Sequence, residues 1–278
     1  MPGILYVVAT PIGNLEDVTL RALRVLREVA VIAAEDTRRT ARLLQHYSIS
    51  TPTTSLHEHN EGARLPAHLR RLDAGESIAL VSDAGTPTVS DPGTGLVAAA
   101  HKAGIRVEPV PGPFAAVAAV SAAGMPADEI LFVGFPPPRS NHRKAWLTRL
   151  STEGRLIVLY EAPHRIEAFL RDALEILGDR RAAVGRELTK IHEALVVQPI
   201  SRHLLELSLP RGEFTVVIAP ADAIEKRQAL PNQGDLKHEF SQLAENAHSR
   251  RDAIRELASR YNRPAREIYQ LLERNGDE

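Results

Sequence analysis

The chain has 278 residues, a formal net charge of −1 and no cysteine. The length indicates about two domains, at roughly 100–200 residues each, and 44% hydrophobic with 25% charged residues is ordinary globular composition. Lack of cysteine excludes disulfides, thiolate metal sites and cysteine nucleophiles. Near-neutrality excludes a global field that would draw the molecule onto nucleic acid or membrane, leaving only local patches for such contacts.

The first apolar run, Ile4 to Ala9, stops at Thr10-Pro11. It is too short for a signal peptide or a spanning helix, so a cytoplasmic protein is expected. A continuous apolar run is the mark of a strand buried on both faces of a parallel sheet. TPIGNLED follows as a loop, and Val18, Ala22, Val25 and Val29 then recur at helical spacing from a start near Asp17. A second strand, Val29 to Ala34, leads into Glu35-Asp36-Thr37-Arg38-Arg39 and another helix. Residues 50–62 read as a polar, turn-rich stretch around His57-Glu58-His59, and a helix through Leu65, Leu69 and Leu72 follows.

Ile78 to Gly95 (IALVSDAGTPTVSDPGTG) opens as a strand, breaks into a polar loop with glycine but no lysine, and resumes as a helix near Leu96. Open α/β sheets bind ligands beyond the carboxyl ends of their strands, and a lysine-free loop is not an ordinary phosphate-gripping one. Ile105 to Val110 is the next strand, ending in Pro111-Gly112-Pro113, and Ala115 to Ala123 is a helix of small residues that lets it lie close to a sheet or a ligand. The loops at Thr10–Asn14, Ser82–Gly93 and Pro111–Pro113 each follow a strand of one parallel sheet, so they should converge on one site. Leu131 to Phe135 is one more strand, with Pro136-Pro137-Pro138 as a domain boundary.

A basic segment, Arg139 to Lys144, opens the second half. Strands at Leu156–Tyr160, Ala182–Gly185 and Phe214–Ala219 alternate with helices, the pattern of a second, smaller α/β domain. The expected domains are 1–135 and 136–220, a linker at 221–235 and helices at 236–278 that turn at Arg263-Pro264 like a helix-turn-helix. Eight Lys/Arg against nine Asp/Glu from Asp235 to Glu278 argue against a DNA reader. No nucleotide-cradling glycine motif occurs, and His57 and His59 without further ligands do not make a zinc site; no metal is expected.

Seven stretches then carry a resemblance: ATPIGNLEDVTLRAL, EDTRRTARLL, HEHNE, LVSDAGTPTVSDPG, VPGPFAAVAA with SAAGMP, YEAPHR and RELTKIHE, in order over about residues 4–220. Together they resemble the small-subunit ribosomal RNA cytidine 2′-O-methyltransferases of the tetrapyrrole-methylase superfamily. The resemblance implies two α/β domains with S-adenosylmethionine in the cleft between them, a small C-terminal helical domain, a homodimer, and methylation of a ribose near the decoding centre of the small (30S) subunit. The superfamily's Gly-Asp-Pro cofactor loop falls on Gly85-Thr86-Pro87, with Thr in place of Asp. It implies cofactor contacts from Pro11, Asp83, Ser90, Asp91, Gly112, Phe114, Ala115, Tyr160, Glu161, Glu187 and Thr189. The sequence departs from the family at Pro136-Pro137-Pro138-Arg139 and near Val196-Val197, which bears on the local backbone there.

Methyl transfer from a sulfonium releases a neutral thioether, so the chain must supply orientation and a proton acceptor. Asp36, Glu187 and His57 are the candidate acceptors. Arg38, Arg39, Arg139, Arg143, Lys144, Arg165 and Lys190 are candidate RNA contacts. Two other readings are a tetrapyrrole-type small-molecule methylase and a ligand-sensing DNA-binding regulator; the low aromatic content, EDTRRT and HEHNE point away from the first and the electroneutral tail from the second.

Overall fold

The computed structural model describes residues 2–207, 211–221, 233–246, 250–261 and 265–273. They form two compact units, residues 1–151 with 155–219 and residues 152–154 with 220–278.

The first unit holds two α/β domains, each built on a five-stranded sheet. In the first, β1 (Leu5–Val8), β2 (Val31–Ala34), β3 (Thr53–Ser55), β4 (Ile78–Val81) and β5 (Val107–Val110) are all parallel, in the order β3-β2-β4-β1-β5. β2 and β4 are buried at every residue. Because side chains alternate along a strand, Ile32, Ala34, Ala79 and Val81 feed one core and Val31, Ala33, Ile78 and Leu80 the opposite one. Helices α1 (Leu20–Glu28) and α2 (Thr37–His46) cover the first face through Val25, Leu26, Leu43 and Leu44; α3 (Glu61–Asp73) and α4 (Thr94–Lys102) cover the second through Leu72, Leu96 and Ala100. The expected helix near Asp17 begins instead at Leu20: Asn14 caps a single tight turn at Leu15–Asp17, and Thr19 then caps α1 by accepting from the Ala22 amide.

The second sheet is mixed, in the order β6-β7-β10-β8-β9. Only β6 (Ile130–Phe132) and β7 (Leu156–Glu161) are parallel; β8 (Arg181–Arg186), β9 (Ala194–Pro199) and β10 (Phe214–Ile218) pair antiparallel. One expectation is corrected here, and two strands are added. The strand near Leu131 belongs to the second sheet, so the change of sheet precedes the triproline. β9, absent from the sequence reading, is an edge strand whose half-exposed residues show no buried run. β3 was missed for a like reason, being a three-residue edge strand of Thr and Ser.

One face of this sheet packs on α6 (Ser140–Leu150), α7 (Ile166–Leu177) and α8 (Ile200–Glu206) around Phe169. The other takes α5 (Ala115–Ala123), whose Ala116, Ala119, Val120 and Ala123 meet Leu156, Val158, Ala183 and Val217. Small side chains bring that helix close, as the sequence implied. α5 leaves the first sheet yet completes the core of the second.

The second unit contains α9 (Gln233–Asn246), α10 (Arg250–Arg260) and α11 (Ala265–Glu273), packed around Leu236, Ile254, Leu257, Tyr261, Ile268 and Leu272. The Tyr261 hydroxyl donates to Glu239 at 2.6 Å. Most of the expected linker and the turn at Arg263-Pro264 lie outside the described residues.

Candidate active site

The strand order fixes where a ligand can sit. From β1 the chain runs toward β2, from β4 it runs the other way past β1 to β5, and β1 and β4 are neighbours. Such a reversal opens a crevice beyond the strand ends. Two loops knit together there: Thr10 and Gly85 exchange both backbone hydrogen bonds (2.8 and 3.0 Å), and the Thr10 hydroxyl donates to the Ser82 carbonyl. Gly85 sits at φ +78, where an L side chain is disfavoured. Thr86 donates to the Pro113 carbonyl at 3.2 Å, tying in the third loop. The expected convergence of the three loops is met.

A cavity of about 390 Å³ opens at this point, walled by both domains; small-molecule sites span roughly 300–1,000 Å³. The first domain contributes Ile12, Glu35, Arg39, the loop from Asp83 to Thr86, Val89, Ser90 and Asp91, and Phe114 and Ala115 stand at the start of α5. The second domain contributes Phe135, the turn from Tyr160 to Pro163, Leu188, and Glu213 to Thr215. Thus Asp83, Gly85, Thr86, Ser90, Asp91, Phe114, Ala115, Tyr160 and Glu161 all stand in this wall.

Pro11, Pro87, Gly112, Glu187 and Thr189 are not among the residues of the cavity wall. A Cβ on Gly112 would meet that of Ala9 at 3.0 Å, so this glycine permits close strand packing. Thr189 accepts from the Asn14 amide at 3.0 Å, joining the loop after β1 to the loop after β8. Four non-glycine residues stand at positive φ in the loops flanking the cavity: Thr88 (+70), Ser90 (+66), Glu187 (+51) and Thr189 (+68). Such conformations cost of order 1–3 kcal/mol each and concentrate at functional sites.

The electrostatics are lopsided. Glu35, Asp83 and Asp91 face one cation, Arg39, whose Nη1 lies 3.3 Å from Asp83 Oδ2. Asp83 is further fixed by accepting from the Asp36 amide at 2.9 Å, and its own amide donates to Glu35 at 3.2 Å. Burial raises the Glu35 carboxyl, opposed first by the Asp83 amide that donates to it and then by Arg39, while the Asp83 and Asp36 charges add to the effect. Burial likewise pushes Asp91 up to about 6, opposed by the Ser82 hydroxyl and assisted by Glu35 and Asp83. Tyr160 rises to about 12, chiefly by burial. It anchors an aromatic cluster with Phe132 and Phe135 at 5.1 and 5.6 Å between ring centres, and Phe114 lies 5.3 Å from Phe132. The cavity therefore suits a ligand that carries both positive charge and a flat apolar group.

The three candidate proton acceptors lie elsewhere. Asp36 caps α2, accepting from the Arg38 amide and guanidinium, which hold its carboxyl down to about 2. Glu187 accepts from Lys190 Nζ at 2.8 Å and from the Glu213 amide at 2.9 Å, and its carboxyl is lowered, first by Lys190. His57 is absent from the cavity wall; its ring stands 6.0 Å from that of His59, and its buried Nδ1 has no partner.

Among the candidate RNA contacts, Arg38 and Arg139 are exposed and Arg39 stands at the cavity. Arg143 is corrected: its side chain is 4% exposed, with Nη2 2.6 Å from Asp172 Oδ2 and Nη1 donating to the Pro138 carbonyl. Lys144 pairs with Glu175 at 2.6 Å, Arg165 with Glu161 at 2.6 Å, and Lys190 with Glu187 and Glu213. Sequence reasoning missed Glu35, Phe135, Leu188 and Phe214-Thr215 as walls. Glu35 directly follows a buried strand and could have been found on that ground; Phe214 and Thr215 reach the cavity because β10 runs antiparallel, which no local pattern reveals. Among the described residues, no group of three or more His, Cys, Asp or Glu is placed to hold a metal ion, and no helix is long and apolar enough to cross a membrane.

Two α/β domains enclosing a crevice of this kind define a methylase architecture. The chain superposes on cobalt precorrin-4 methyltransferase, a cobalamin biosynthetic enzyme, with a TM-score of 0.58 at 16% identity, covering 78% of this chain and 94% of that one. It superposes also on uroporphyrin-III C-methyl transferase from Thermus thermophilus complexed with S-adenyl homocysteine (0.55, 18%, covering 81% and 100%). The family model of the tetrapyrrole (corrin/porphyrin) methylases matches residues 4–203. Closer in sequence are proteins named ribosomal RNA small subunit methyltransferase I: that of Synechocystis is 46% identical over 97% of both chains, and that of Escherichia coli O157:H7 is 41% identical over 92% and 94%. The chain belongs to this ribosomal RNA small subunit methyltransferase I family, within the tetrapyrrole methylases.

Proposed function

We propose that the chain is an S-adenosylmethionine-dependent methyltransferase acting on the 2′-oxygen of a cytidine ribose in small-subunit ribosomal RNA. The observation that carries this reading is the cavity itself, with acidic and aromatic side chains in its wall, in a chain 46% identical over 97% of its length to a small-subunit RNA methyltransferase. The cofactor fits the wall: its sulfonium and ammonium suit Asp83 and Asp91, its carboxylate suits the backbone amides of the Asp83–Thr86 loop, and its adenine suits Phe114, Phe135 and Tyr160. The cavity wall has no lysine, and the cofactor has no phosphate.

When bound, S-adenosylmethionine supplies an electrophilic methyl group and departs as a neutral thioether. The chain then has to hold the ribose oxygen in line, exclude water and accept one proton. Orientation of this kind is worth up to roughly 7–11 kcal/mol. Arg38, Arg39 and Arg139 are the cations best exposed to hold RNA phosphates. The family resemblance implies that the protein acts as a pair of identical subunits.

Labelled methyl transfer to small ribosomal subunits, free small-subunit RNA and a porphyrinoid, beside a duplex-DNA binding assay, tests the reading. Label recovered as 2′-O-methylcytidine is expected. Transfer to the porphyrinoid alone, or DNA binding without transfer, overturns it.

A further inference from the structure

The residues first suited to accept the ribose proton are absent from the cavity wall, and the acceptor is sought among the wall's carboxylates. There are five: Glu35, Asp83, Asp91, Glu161 and Glu213. Asp83 has Oδ1 on the Asp36 amide and Oδ2 on Arg39. Glu161 has Oε1 bound by Arg165 and Oε2 without a partner, but its side chain has no exposed surface. Glu213 is an exposed carboxylate paired with Lys190. Asp91 sits between Ser82 and Tyr160, away from any cation of the wall. Glu35 is partly exposed, unlike Glu161, and keeps one oxygen unengaged, unlike Asp83. It stands at the end of β2 with only Oε2 engaged, by the Asp83 amide, and four residues on, the first turn of α2 places Arg39 in the same wall.

We propose that Glu35 accepts the proton of the ribose 2′-hydroxyl and that Arg39 holds the neighbouring phosphate, so that the pair recognises one nucleotide as a unit. This rests on the methyltransferase reading above. In RNA the 2′-hydroxyl adjoins the 3′-phosphate, and a carboxylate beside a cation is the matching arrangement. The O–H bond breaks toward Glu35 Oε1 as the oxygen lone pair forms the new O–C bond and the methyl–sulfur pair stays on sulfur. The products are the 2′-O-methyl ribose, the thioether and a protonated Glu35, which returns its proton to water. The groups facing Glu35 are Asp36, Asp83 and Asp91 on the acidic side and Arg39 on the basic side. Burial and the three carboxylates keep it a stronger base than an exposed glutamate.

The test uses Glu35→Gln, Asp91→Asn and Arg39→Ala in the full chain. Glu35→Gln should lower kcat by about 10²–10⁴-fold, while S-adenosylhomocysteine and RNA affinities measured by calorimetry stay close to the parent. Glu35→Ala should regain turnover with added formate, which keeps the test open if the Gln variant folds poorly. Wild-type kcat should fall on the acid side of a single limb above the ordinary glutamate range. Arg39→Ala should raise KM for RNA far more than it lowers kcat. If Glu35→Gln turns over normally, or if Asp91→Asn abolishes kcat with S-adenosylhomocysteine affinity intact, the assignment is wrong. If Glu35→Gln loses cofactor affinity in step with activity, Glu35 is a binding residue instead. A wild-type chain with no transfer to ribosomal RNA would sink the underlying reading, a result distinct from an active wild type with an active Glu35→Gln variant.

Discussion

Arg143 and Asp172 show how far a residue's role can stand from its appearance in the chain. Within RSNHRK the arginine reads as one of several surface cations, because its partner is 29 residues away on the next helix. In the fold it is buried, and Ser140 donates to the same carboxylate. Breaking a buried pair strands the remaining charge and costs about 3–5 kcal/mol. Arg143→Ala should therefore lower the denaturation midpoint by that order while leaving the salt dependence of RNA binding unchanged; a loss of RNA affinity with intact stability would contradict this. His68 gives a second case. It is 3% exposed on α3, neither ring nitrogen has a partner, and burial depresses its pKa below 6.5. A buried neutral histidine contributes its full stability above the unfolded value of 6.5, and that contribution drains away as pH falls below it. His68→Leu keeps the volume and removes two unsatisfied atoms, so it should stabilise by about 1–3 kcal/mol, with the advantage widening from pH 7 to pH 5. Taking the difference between variant and wild type cancels the opposite trend of Asp91, whose raised pKa favours the folded state as pH falls. An advantage that shrinks on acidification would refute the account. Glu35 and Asp36 mark the limit of legibility at this scale. They are adjacent, and which one faces the cavity depends on the residue at which β2 ends and α2 begins.

Elements were legible in proportion to their burial. The strands at Leu5, Val31, Ile78, Leu156 and Phe214 are apolar runs because both faces are covered, and each was readable within a residue or two. β3 and β9 were not, since an edge strand satisfies half its backbone elsewhere and needs no apolar run to persist. Helix α5 was readable to the residue, but its partner was not. Composition shows that small side chains demand a close neighbour; which sheet provides it is a matter of tertiary path. That closeness is testable. Ala119 is fully buried between the helix and the second sheet, and overpacking of such a contact costs typically 1–3 kcal/mol. Ala119→Leu should destabilise by about that amount and, by displacing Phe114 and Ala115 at the helix start, weaken S-adenosylhomocysteine binding measured by calorimetry. Unchanged affinity in a destabilised variant would separate the helix from the site.

For the whole molecule, the alternation of strands and helices foretold two α/β domains, and the convergence of loops foretold a crevice. The second domain's antiparallel pairing was hidden, because strand direction is set by which ends the loops can join. That pairing decides half of the cavity wall, since β10 enters it with Phe214 and Thr215. The site is thus the property of a path through both sheets, and α5 is where the path crosses. The chain completes its first sheet, then lays its most apolar helix against strands that have not yet been synthesised. During translation that face of Ala116, Ala119, Val120 and Ala123 waits bare until β7, β8 and β10 emerge, the last of them some ninety residues later. A ribosome at work on this protein holds its first domain finished and its second domain's inner layer uncovered. The catalytic crevice closes only when the chain has returned through β10.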